Sequence, residues 1–174
     1  MGRLTESIAI KAPIEKVFEV ITDFESYPGF LSEIESARVV KRGKAKVEVA
    51  FTANIVSRIN YTLEMRPSPP KRLEWSLVEG DIMEGNDGSW ELTRLEPNLT
   101  DATFSVEVKL PFWVPAGFAD ATLKSGLPKM MAGFKSEAEK RASPRPAAKK
   151  PAAKKKGGLN SKTETRSRKL IKRS

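Results

Sequence analysis

The sequence contains no histidine and no cysteine. Without cysteine there are no disulfides, thiolate nucleophiles or Cys-ligated zinc sites. Without histidine, a serine nucleophile loses its customary base and neutral-pH proton transfer loses its customary carrier. The two absences weigh against enzymatic acid/base and nucleophilic chemistry and leave carboxylates, tyrosine and lysine as the remaining options. No metal site and no cofactor are expected, because the acidic pairs Gly-Asp at 80–81 and Asn-Asp at 86–87 fall in turn-like segments. Long apolar runs are also missing, none nearing the roughly 18 residues a membrane span needs, and MGRLTESIAIKAP lacks the apolar stretch and cleavage site of a secretory signal. The expectation is a cytoplasmic protein with no transmembrane segment.

What is present is one ordinary domain plus an extension: 174 residues, of which 39% are apolar. The net charge of +9 is unevenly distributed, since residues 1–140 hold 18 Lys/Arg against 21 Asp/Glu, whereas residues 141–174 hold 13 against one. The second segment, rich in Pro, Ala, Lys and Ser, has too few large apolar side chains to offset its ordering entropy, and it reads as a disordered tail. Its cations, Lys149, Lys150, Lys154, Lys155, Lys156, Arg166, Arg168, Lys169, Lys172 and Arg173, would release counterions on RNA, DNA, a ribosome or an anionic membrane surface. No aromatic is interleaved, so base stacking is not indicated, and a plain solubilising spacer is the competing reading.

Residues 12–31 hold a helix signal, with Pro13 at the first helical position and Ile14, Val17, Phe18 and Ile21 on one face. Pro28-Gly29 then crowds Phe24, Tyr27, Phe30 and Leu31 into a brief second turn. A first strand precedes this pair (residues 4–11), and about six follow it: IESARVVKRG, β-branched and stopping at Gly43, and five that alternate apolar and polar side chains, through Val47, Val49, Phe51, Ala53; Ile59, Tyr61, Leu63, Met65; Leu73, Trp75, Leu77; Trp90, Leu92; and Ala102, Phe104, Val106, Val108. Short turns between them favour an antiparallel meander, with PSPPK as one stop and GDIMEGNDG as another before SWELTRL resumes. From Pro115 a long helix is expected, with Phe118, Thr122, Leu123, Leu127, Met130, Phe134 and Ala138 as its apolar stripe and Pro128 bending or splitting it.

The groups AP, VF, TDFE and YPGFL within residues 12–31, then EGDIMEGNDGSWELTRL and KLPFWVP with LKSGLPKMM, resemble the START-like (SRPBCC, helix-grip) superfamily. The likeness is to its polyketide cyclase/dehydrase and coenzyme Q-binding branch, over residues 4–140. It implies an α+β fold in which a curved antiparallel sheet of about seven strands grips a long C-terminal helix across an apolar cavity. Members hold lipids, quinones, sterols, plant hormones or polyketides there, a minority catalyse, and one bacterial relative is described as a ribosome-association toxin. In quinone-binding and toxin-like relatives the YPxFL group is commonly followed by proline-tryptophan-cysteine. Here Leu31 is followed by SEIESA, which weakens ubiquinone as the specific ligand.

On that fold the inward set is Val49, Phe51, Tyr61, Leu63, Trp75, Leu77, Trp90, Phe104 and Val106, faced by Phe118, Leu127, Met130 and Phe134, with Phe24, Tyr27 and Phe30 as a lid. Three tryptophans with several Phe and Met residues exceed what a small core needs and suit an adaptable apolar site, though the same side chains could simply interdigitate. Polar candidates are Tyr61, Asn54, Arg58 and Thr52, with Glu79 and Asp81 at a rim. Each of these reads first as a solvated surface residue, because an unpaired buried charge is costly. Three functions follow as expectations: a non-enzymatic binder of a hydrophobic small molecule or lipid (quinone, isoprenoid or polyketide-like), a ribosome- or nucleic-acid-associated interaction protein, and a polyketide cyclase or aromatase using Tyr61, Arg58 or a rim carboxylate.

Overall fold

The first described strand is β1 (Gly2–Ile10), in a computed structural model that describes residues 2–144. Pro13 then stands one position before α1 (Ile14–Thr22) rather than inside it, its backbone extended at φ −62° and ψ 149°. Its carbonyl accepts the amides of Lys16 and Val17 at 2.9 and 3.1 Å, so the ring's missing N–H costs nothing there. Ile14, Val17, Phe18, Val20 and Ile21 are buried, the apolar face that the helical spacing implied. A 3₁₀ helix (Phe24–Gly29) follows at once, started by Asp23, whose carboxylate accepts the Ser26 hydroxyl at 2.7 Å.

The remaining strands are β2 (Ile34–Arg42), β3 (Val47–Asn54), β4 (Arg58–Ser68), β5 (Arg72–Gly80), β6 (Gly85–Glu96) and β7 (Leu99–Lys109). They form one curved seven-stranded sheet in the order β1-β7-β6-β5-β4-β3-β2, with every neighbouring pair antiparallel. Period-two alternation is realised in burial: Val49, Phe51 and Ala53 on β3, Leu63 and Met65 on β4, and Ala102, Phe104 and Val106 on β7 face the core. Bulges interrupt the register of β2–β3, β4–β5 and β6–β7, where added twist suits a sheet that curls.

The GNDG segment read as a turn is the first part of β6, pairing from Gly85 to Gly88 with Lys109 back to Val106. Gly88 is required there by close approach: a Cβ would lie 2.4 Å from both the Trp75 ring and the Ser105 carbonyl oxygen.

The closing helix α2 (Phe118–Ala142) starts three residues after Pro115 and is a single helix with Pro128 inside it, so the proline does not split it. It buries Ala119, Leu127, Met131, Phe134 and Ala138. Close contacts seat it on the sheet and on the chain after α1. A Cβ on Gly2 would lie 2.7 Å from that of Ala119, and one on Gly133 would lie 2.8 Å from Leu31 and 2.9 Å from the Phe30 carbonyl oxygen. Charged groups pin it further: Lys135 donates to the Ala9 carbonyl at 3.0 Å, and Arg141 pairs with Asp23 at 3.0 Å. The basic-tail residues beyond 144 lie outside the described residues.

Candidate functional site

Between the inner face of the sheet and α2 lies a cavity of about 280 Å³, close to the lower end of the usual range for ligand pockets. Strand β2 supplies Ile34 to its wall, strands β3 to β7 supply Phe51, Ile59, Tyr61, Leu63, Met65, Leu73, Trp75, Asn86, Trp90, Phe104, Val106 and Val108, and α2 supplies Phe118, Leu127, Met130 and Phe134. Many of these rings touch. Trp75 meets Phe104 at 5.2 Å between centroids, Phe104 meets Trp90 at 5.0 Å, Trp90 meets Phe134 at 5.1 Å and Phe134 meets Tyr27 at 5.1 Å. Tyr27 in turn lies 6.0 Å from Phe51, which stacks on Tyr61 at 5.4 Å. The result is a continuous aromatic chain along the wall, mostly in the tilted and edge-to-face geometries that ring quadrupoles favour.

Eleven of the fourteen residues singled out from the sequence line this cavity: Tyr27, Phe51, Tyr61, Leu63, Trp75, Trp90, Phe104, Phe118, Leu127, Met130 and Phe134. Phe24, Phe30 and Leu77 do not. Phe24 turns to the other side of the 3₁₀ helix, beside Phe18, Val39 and Val47, and Phe30 packs edge-on against Tyr27 and Phe134 from behind. Leu77 sits at the β4–β5 bulge, where the alternation slips by one residue and leaves Val78 exposed. Val49, counted in the inward set, is core without reaching the cavity. The three-residue lid therefore reduces to Tyr27, whose hydroxyl donates to the Ile21 carbonyl at 2.6 Å. Trp113, the third tryptophan, is 64% exposed ahead of α2 and takes no part in the wall.

The polar candidates mostly serve the surface. Asn54 and Arg58 both donate to Glu35, at 3.2 and 2.7 Å, Thr52 donates to the Asn60 side chain, and Asp81 accepts from Asn60. Neither these nor the exposed Glu79 line the cavity. Tyr61 does, and burial pushes its phenol up to about 12, so it carries its proton at neutral pH. Among the described residues the wall holds one charged residue, Glu33. The Lys129 ammonium, 2.6 Å away, holds its carboxyl below the usual range.

Sequence reasoning missed the mouth. Ile55, Val56 and Ser57 of the β3–β4 turn and Ile82 and Met83 of the β5–β6 turn line the cavity, with Ile55 51% and Val56 70% exposed. The available signal was the Ile-Val and Ile-Met pairs lying inside turns, where large apolar side chains have no packing reason to be. Asn86, three residues beyond Met83, was hidden by the reading of GNDG as a turn.

The model of the family described as polyketide cyclase / dehydrase and lipid transport matches residues 10–135. The chain belongs to that family. Among solved structures of the same fold, a START superfamily protein from Mycobacterium smegmatis is 16% identical, with a TM-score of 0.73 over 81% of this chain and 99% of its own. The Zhui aromatase/cyclase from Streptomyces sp. R1128 is 17% identical, with a TM-score of 0.71 over 83% and 96%. A STAR-related lipid transfer protein fragment from Xanthomonas axonopodis is 11% identical, with a TM-score of 0.66 over 78% and 85%. No curated protein matches the sequence significantly. The cavity of this polyketide cyclase / dehydrase and lipid transport domain lies where sheet and helix face each other, the position that the START-like resemblance implied. Among the described residues, no helix is long and apolar enough to cross a membrane.

Proposed function

We propose that this chain is a non-enzymatic binder of a hydrophobic small molecule or lipid, of quinone, isoprenoid or polyketide-like character. The ligand occupies the cavity between sheet and α2, and the basic tail holds the protein to an anionic partner. The observation that carries the reading is the wall itself: Trp, Phe, Leu, Ile, Val and Met side chains from six strands and α2 leave about 280 Å³ unfilled, with a single charged side chain among the described residues that line it. Apolar surface facing an unfilled volume forgoes dispersion contacts that a guest restores. The sites inferred from sequence for this role are the eleven wall residues named above, with Phe24, Phe30 and Leu77 supporting them from outside.

Native mass spectrometry of the purified full chain, with extraction and identification of copurifying lipids, tests this reading. A stoichiometric small molecule that is lost in the cavity-filling variant Leu123→Trp is the expected result. A folded protein that takes up no hydrophobic molecule from any lipid extract defeats it. For the tail, the expected result is sedimentation with ribosomes, nucleic acid or anionic vesicles that weakens steeply with salt and disappears when residues 145–174 are deleted. Unchanged sedimentation of the truncated chain overturns the tethering role.

A second reading, a polyketide cyclase or aromatase, draws on Tyr61, a protonated phenol on the wall, and on the aromatase/cyclase among the structures of like fold. Arg58, Glu79 and Asp81 lend it nothing, since they lie off the wall. Ring closure of a poly-β-ketone substrate that stops in Tyr61→Phe would establish it over simple binding.

A further inference from the structure

The polar groups on the cavity wall restrict which apolar molecules it can hold. Two of them are carried by the sheet, Tyr61 on β4 and Asn86 on β6. A Cβ built on Gly80 would lie 3.3 Å from the Tyr61 Cβ and 3.6 Å from that of Met83, whose sulfur the Asn86 side-chain amide contacts at 3.6 Å. The Tyr61 hydroxyl has no hydrogen-bond partner among the described residues, whereas the other tyrosine, Tyr27, is satisfied by the Ile21 carbonyl. Such an orphan hydroxyl in a largely apolar wall calls for an explanation. Asn86 is half-satisfied. Its Oδ1 accepts from the Trp75 indole N–H at 3.0 Å, which fixes the amide orientation, and its Nδ2 meets only the thioether of Met83 at 3.6 Å, a weak acceptor. Both groups therefore offer N–H or O–H donors and seek an acceptor.

Charge points the same way. Among the described residues the wall contains no lysine or arginine, and its one carboxylate, Glu33, is already matched by Lys129. An anionic headgroup would enter without a free counter-ion from the described residues, which is costly away from water.

We propose that the cavity selects a neutral, largely apolar molecule bearing an acceptor oxygen, a carbonyl above all, which Tyr61 Oη and Asn86 Nδ2 bind as donors, and that it rejects carboxylates. This assignment rests on the cavity-binding reading and adds the two specificity-determining side chains to it. A fatty acid or a phospholipid headgroup is the wrong chemistry for this wall, whereas a quinone or ketone carbonyl is the right one.

The test uses the full chain, with N-phenyl-1-naphthylamine as a neutral fluorescent reporter and three competitors of one shape: 2-acetylnaphthalene, 2-ethylnaphthalene and 2-naphthoate. The ketone should displace the reporter at about three- to tenfold lower concentration than the hydrocarbon, as one or two neutral hydrogen bonds allow. Naphthoate at pH 7 should be at least about tenfold weaker than the ketone. In Tyr61→Phe the ketone should lose its advantage over the hydrocarbon, and Asn86→Ala should act in the same direction. Ketone and hydrocarbon competing equally in the unaltered protein, or naphthoate competing best, overturns the proposal yet leaves the cavity reading standing, and needs no variant to fold. A reporter that fails to bind at all removes the cavity reading and this inference with it.

Discussion

Tyr27 and Tyr61 are the same residue type, 34 positions apart in the sequence, put to different uses by their surroundings. Tyr27 spends its hydroxyl on the Ile21 carbonyl, closing the chain between α1 and the 3₁₀ helix while its ring touches Phe24, Phe30, Phe51 and Phe134. Tyr27→Phe keeps the ring contacts and strands a buried carbonyl, so urea denaturation should show a loss of about 1–2 kcal/mol. Burial raises both phenols, Tyr61 to about 12 and Tyr27 in the same direction, and these are the only two tyrosines in the chain. An acid whose folded pKa lies above its unfolded value adds stability below the unfolded pKa of about 10, and that stability is lost as pH rises toward the folded value. Tyrosinate absorbance should therefore stay absent through the ordinary phenol range and appear only as the protein unfolds at high pH. An ordinary midpoint near 10 in the folded protein would contradict the burial. Gly88→Ala asks the Trp75 ring and the Ser105 carbonyl to share space with a methyl group 2.4 Å away. It should cost about 1–3 kcal/mol in the same urea assay and shift the tryptophan emission.

At the scale of elements, α2 contains its own control experiment. Gly126 and Gly133 both sit in the helix, but a Cβ at Gly126 meets nothing within 4 Å, whereas one at Gly133 meets Leu31 and the Phe30 carbonyl oxygen below 3.0 Å. Gly126→Ala should gain about 0.5–1 kcal/mol from helix propensity alone. Gly133→Ala should lose stability on balance, because the helix must lift from the chain that follows the 3₁₀ segment. Opposite signs in one thermal-melt comparison are the expected outcome. Such a lift would also widen the cavity on the side held by the Lys129–Glu33 pair, which links α2 to the chain just before β2.

Over the whole molecule, carboxylates paired with Arg or Lys recur on many elements. Glu15 is held low by its hydrogen bond to Arg94, Glu33 by Lys129, Glu35 by Arg58, Glu64 by Lys46, Glu74 by Arg72 and Glu139 by Lys135. Folded values below the unfolded ones mean that these pairs stabilise above the ordinary carboxylate range of about 4, and that the contribution is lost as pH falls through the folded values. Melting temperature should be flat near neutrality and drop below about pH 4.5, and added salt should flatten that drop, because the partners are solvent-exposed.

The alternation of apolar residues and the sequence of stops between them were enough to specify seven strands, a helix pair and a closing helix, because side-chain period follows directly from backbone geometry. The same local rules erred where a neighbour distant in sequence decided the outcome. GNDG reads as a turn until Trp75 lies across Gly88. Phe24 and Phe30 read as lid residues until the 3₁₀ helix gives the cavity side to Tyr27. The sequence alone determined that this chain works without thiol or imidazole and that its net positive charge lies at one end. Only tertiary structure decided that its aromatic side chains stop short of filling the space between sheet and helix. A void is a property of how two curved surfaces fail to meet, and no stretch of sequence encodes that by itself.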